Sequence, residues 1–135
     1  SAVGPNQSCT TPALTPLSSD RNQLLAEIDK LVASGNTNIS EGAAWAWRVL
    51  SPTAPFMEGR SYDDRSNKKI MIVMTDGDNM FATRPTHNAS VYAAYGYGAQ
   101  NRLSSTYSSA AFNAGLNSKT LSVCGNAKEE GITVY

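Results

Sequence analysis

The 135 residues include 11 basic and 11 acidic side chains dispersed along the chain, giving a formal net charge of zero. A chain of this length makes one domain, spanning 1–135, and can bury a core. No stretch has the basic footprint that a phosphate backbone requires, which argues against a nucleic-acid partner, and no apolar run approaches the roughly 20 residues that cross a bilayer.

Residues 1–17 are rich in Pro, Ser and Thr, with Leu14 and Leu17 as apolar anchors, a composition suited to an extended lead-in. From Ser18 or Ser19 the pattern changes. A serine cap with Asp20 in the first turn is followed by Leu24, Leu25, Ile28, Leu31 and Val32 at helical spacing, closed by Gly35, predicting an amphipathic helix. The turn at 35–38, Gly-Asn-Thr-Asn, leads into a second helix that starts with Ser40 and Glu41 and ends at Pro52. Ala43, Ala44, Trp47 and Leu50 share one of its faces. Trp45 and Trp47, two apart, cannot both point inward, and Trp47 is expected to be the buried one. The segment 51–69 is Pro-, Gly- and charge-rich and is expected to be a surface loop, with the run from Tyr62 to Lys69 exposed.

Ile70-Met71-Ile72-Val73-Met74 is a continuous apolar run ending in Thr75-Asp76-Gly77, the pattern of a parallel strand buried on both faces. Residues 79–117 lack clean periodicity and recur in Tyr92, Tyr95, Tyr97 and Tyr107, which predicts a long loop with short helical pieces. A helix is expected from Ser118 to a Gly131 cap, with Ile132 to Tyr135 opening another buried strand. Helix, strand, helix and strand in alternation argue for an α/β fold with a parallel sheet and right-handed crossovers.

Functional groups of open α/β sheets sit beyond the carboxyl ends of the strands, which singles out Asp76, Gly77, Asp78 and Asn79. Gly77 would let the backbone turn and leave a carboxylate at the rim, where a hard cation is the natural counter-charge. The plainer alternative is that Asp76 caps the following backbone. An enzymatic alternative takes Asp76 and Asp78 as a carboxylate pair for metal-assisted phosphoryl transfer, although no phosphate-cradling loop accompanies them. His87 lies in a polar loop without a Ser or Cys neighbour and is expected to be solvated. Cys9 and Cys124 fit no metal spacing. They either pair in an oxidising compartment or stay separate thiols.

The segments GNTNISEGAAWAWRVLSP, KKIMIVMTDGDN and CGNAKEEGITVY together resemble the carboxy-terminal part of the von Willebrand factor type A domain in TadG-like pilus-assembly proteins of the Flp/Tad class. The likeness runs from about Cys9 to Tyr135 and is most specific at 35–55 and 69–79. It implies a Rossmann-like parallel sheet with flanking helices, and a non-enzymatic protein-binding or adhesion module of a bacterial pilus machine. It also implies an extracytoplasmic setting, a parent anchored in the inner membrane, and a pilus or envelope protein as partner.

In type A domains a metal-ion-dependent adhesion site joins an Asp-x-Ser-x-Ser loop, a Thr and an Asp. Thr37 matches that Thr and Asp76 that Asp, with Asn38, Asp78 and Asn79 as a partner surface beside them. No Asp-x-Ser-x-Ser occurs in these residues, so Mg²⁺ or Ca²⁺ is an expectation for a full-length parent and not for this piece. The resemblance further implies that the family's first strand is missing beside 70–74, leaving an apolar edge for the amino-terminal segment or a second copy of the chain. A type A scaffold without metal function is the remaining alternative.

Overall fold

The computed structural model describes residues 11–135. Along them run α1 (Arg21–Asp29), α2 (Ile39–Leu50), β1 (Ile70–Met71), a 3-10 turn (Gly98–Gln100), α3 (Ser109–Glu129) and β2 (Thr133–Val134). β1 and β2 are parallel, with Ile70 opposite Thr133 and Met71 opposite Val134. The pairing continues past the regular strands, where the Val73 N–H donates to the Tyr135 carbonyl at 2.9 Å. The molecule is therefore mixed α/β with a small parallel sheet, and α2 and α3 pack against each other and against the strands.

Strand 70–74 is not buried on both faces. Met71 is 2% exposed, whereas Ile70, Ile72 and Met74 are 53%, 67% and 90% exposed. Side chains alternate across a strand, and the helices cover one face only, so every second apolar residue is left outside. Met71 instead joins Ala43, Ala127 and Ile132 in a core cluster flanked by Ala46, Trp47 and Val73.

The first helix also departs from expectation. Its cap is Asp20, whose carboxylate accepts from the Asn22 and Gln23 N–H groups at 3.0 Å, while Ser18 receives the Asp20 N–H. The helix stops at Asp29 and buries no residue. Leu25, Ile28, Leu31 and Val32 all remain exposed. An apolar stripe holds a helix only through what packs on it, and among the described residues no element packs extensively on this one.

The third helix is longer than the sequence pattern predicts, beginning at Ser109 and not Ser118. Ser108 caps it by accepting from the Ala111 N–H. Its amino-terminal half carries Phe112 and Leu116, both fully buried, into a second cluster with Phe81, Tyr95 and Leu103. The Phe81 and Phe112 rings lie 4.9 Å apart. Its carboxy-terminal half delivers Ala127 to the first cluster, and Gly131, at φ +79°, turns the chain into β2.

The loop 51–69 has no regular element, as expected, but its last residue is not exposed. Lys69 is 8% exposed. Its Nζ donates to the carbonyls of Leu50 and Arg60 and lies 4.9 Å from the Tyr62 ring centre. The ammonium thus terminates α2 by satisfying a carbonyl that has no partner within the helix, and burial pulls its pKa below the usual lysine range. Tyr62 in turn accepts a hydrogen bond from Trp47 Nε1 at 3.0 Å. Trp47 is the inward tryptophan. Trp45 stays at the surface, held by Glu41 and covered by the Arg48 guanidinium.

Candidate functional site

The rim of interest forms where the carboxyl end of β1 meets the amino end of α2. Asn38 caps α2, its Oδ1 accepting from the Glu41 N–H at 3.2 Å and from Ser40 Oγ at 2.8 Å. Such caps satisfy N–H groups that the first turn leaves open. Ser40 is fully buried and lies 3.0 Å from the Tyr95 hydroxyl. The Tyr95 ring is faced by Lys119 Nζ at 5.2 Å.

Two bonds tie the loop after β1 to the 35–38 turn. The Met80 N–H donates to the Thr37 carbonyl at 2.9 Å, and Asn79 Oδ1 accepts from the Ile39 N–H at 2.8 Å. Asn79 Nδ2 also donates to Asn117 Oδ1 at 2.8 Å and Thr120 Oγ1 at 3.2 Å on α3. One amide therefore joins β1's exit loop, the start of α2 and the middle of α3. Asn79 is 3% exposed. Its side chain is used inside the molecule and is not displayed to a partner, which corrects the surface role read for it from sequence.

Thr37 is half-buried, and together with Ile39, Ile72, Met74 and Thr75 it borders a groove of about 280 Å³. Asp76, the next residue, and Asp78 are exposed. Neither the Thr37 hydroxyl nor the Asp76 carboxylate has a hydrogen-bond partner among the described residues. Thr75 Oγ1 shapes the exit by accepting from the Gly77 N–H and donating to the Gly77 carbonyl. Gly77 lies outside the left-handed region, and an added Cβ there would meet nothing within 4 Å, so the bend does not depend on glycine.

The fit to a cation is poor. A hard divalent ion takes six or more oxygens, and among the described residues no group of three or more His, Cys, Asp or Glu could hold one. Thr37 and Asp76 would supply two side-chain ligands at most, a fragment of a coordination shell.

Several residues outside the sequence-selected set carry the geometry. Besides Tyr95 and Lys119, Asn113 Oδ1 accepts the Phe81 N–H at 2.8 Å, and Ser90 Oγ accepts the buried Gly98 N–H at 2.7 Å. The signal for the α3 set was the run Phe112, Leu116, Thr120, Val123, Ala127 at steps of four, four, three and four. Intervening Ser, Asn and Gly residues dilute it. His87 is exposed. Cys124 is half-buried beside the first cluster, while its candidate partner Cys9 lies outside the described residues.

No helix among the described residues is long and apolar enough to cross a membrane. Compared with protein-family models, curated proteins and solved structures, the chain matches none.

Proposed function

We propose that this chain is the carboxy-terminal part of a von Willebrand factor type A-like domain of a TadG-like pilus-assembly protein. It works as a non-enzymatic protein-binding module, outside the cytoplasm, on a parent anchored in the inner membrane. The observation that carries this reading is the joining of the 35–38 turn to the loop after a parallel strand, through the Met80–Thr37 and Ile39–Asn79 bonds. Loops that converge at a strand's carboxyl end are where sheets of this kind recognise ligands. Thr37 and Asp76 are then remnants of an adhesion site, and Asn38 and Asp78 are polar neighbours that meet the partner. A working Mg²⁺ or Ca²⁺ site in the parent requires an Asp-x-Ser-x-Ser loop, which these 135 residues lack.

The test is binding of the immobilised chain to purified pilus and envelope proteins. Thr37→Ala and Asp76→Ala should each weaken capture several-fold while circular dichroism stays unchanged. Capture that neither substitution alters would remove the rim from the interaction and overturn the reading. Turnover of a phosphate ester with Mg²⁺, abolished by Asp76→Asn, would favour the phosphoryl-transfer alternative.

A metal-free scaffold is the second reading, favoured by the way Asn79 holds the rim together through the protein's own hydrogen bonds. A thermal midpoint of the full-length parent that does not move between excess Mg²⁺ and chelator supports it, since a ligand that binds only the folded state must raise that midpoint.

A further inference from the structure

The ladder between the strands uses alternate residues of β1: the Thr133 N–H donates to Lys69, the Tyr135 N–H to Met71, and Val73 donates to Tyr135. The N–H and C=O groups of Ile70 and Ile72 therefore point to the opposite edge, and among the described residues no strand lies there. The same alternation puts Ile70, Ile72 and Met74 on the uncovered face. Ile72–Thr75 also border the groove shared with Thr37 and α2. An unpaired, apolar edge is a template for another strand.

Charge identifies that strand. Exposed Lys68 precedes the segment and exposed Asp76 lies in the bend that follows it, so the edge is flanked by a basic residue at one end and an acidic one at the other. In an antiparallel pairing with its own copy about a two-fold axis at Ile72, Lys68 lies opposite Asp76 at both ends, Ile70 opposite Met74, and Ile72 opposite itself. A parallel in-register pairing would set Lys68 on Lys68 and Asp76 on Asp76. Directly opposed unlike charges stabilise a strand pair and like charges oppose it, and a two-fold contact needs a patch complementary to itself. We propose that the chain forms a two-fold dimer in which the free edges of two β1 segments pair antiparallel, joining two two-stranded sheets into one of four strands. This does not rest on the adhesion reading, under which a strand of the parent would cover the same edge.

Sedimentation of the 135-residue chain between about 1 and about 100 µM tests the proposal, that range spanning weak to moderate affinities. A concentration-dependent dimer is expected. Lys68→Asp and Asp76→Lys should each weaken it about tenfold, because each sets like charges opposite one another twice per dimer, and combining the two should restore it. Ile72→Lys, at a 67% exposed position, should abolish the dimer with an unchanged far-UV spectrum. A monomer throughout, an open-ended aggregate, a dimer indifferent to these substitutions, or a double swap that fails to restore it would each overturn the inference.

Discussion

Asn79 is the residue on which the rim depends, because its one amide both accepts from Ile39 and donates to Asn117 and Thr120. Asn79→Ala should destabilise the chain by about 2 kcal/mol, the cost of leaving a buried backbone N–H and two side-chain partners without it, read as a lower urea midpoint. Asn79→Asp keeps the acceptor but loses both donors and buries a carboxylate with no cation beside it among the described residues, and should destabilise at neutral pH at least as much as alanine. Asp64 offers a separate check by pH. Hydrogen bonds from the Ser66 hydroxyl and N–H, then the nearby Arg60 guanidinium, hold its carboxyl below the usual aspartate range. A depressed carboxyl pKa contributes stability above its unfolded value and loses it as pH falls through the folded one. Ser66→Ala should therefore raise the Asp64 pKa in a carbon-detected NMR titration and flatten the acid limb of the stability curve. At this scale the sequence misread the use of one residue, Asn79. The Met80–Thr37 and Ile39–Asn79 bonds join the two loops, but nothing local distinguishes an asparagine that faces solvent from one that reaches a helix nearly forty residues away.

Among the elements, α2 was legible because its cap, its apolar face and its proline stop agree with one another. Both other helices were expected, but the burial of α1 and the start of α3 were misread, for opposite reasons. α1 has the stripe of a packed helix, yet Leu25 and Ile28 stay exposed and Leu24 is only half-buried. Ile28→Asp should accordingly change the isolated chain's stability by less than about 0.5 kcal/mol, measured by denaturant unfolding. A large loss would mean that the stripe is covered. α3 has a weak stripe but a strong seat. Its Gly115 lies against Leu103, and a Cβ there would come within 2.6 Å of the Leu103 carbonyl oxygen. Gly115→Ala should destabilise by about 1 kcal/mol or more, since relief requires moving backbone, even though alanine is the better helix former. Gly115 weakened the helical reading of 109–117, and the close approach to the 103 backbone explains why it is there.

In the whole molecule, the described core divides into one cluster around Met71, Ala127 and Ile132 and another around Phe81, Phe112 and Leu116. The α/β alternation was readable from the order of periodic and continuous apolar segments. The second cluster was not, because its members come from a region whose tyrosines, serines and glycines carry no period and meet only through long-range packing. α3 enters both clusters. With 21 residues it is about 31 Å long at the usual rise per residue, and it has no break along that length. Loosening either end of such a rod removes support from the other, so the two centres should open together. In hydrogen exchange, amides near Phe112 and those near Ala127 should share one slow opening event and respond equally to Leu116→Ala. Exchange at two distinct rates would mean that the rod transmits nothing between its ends.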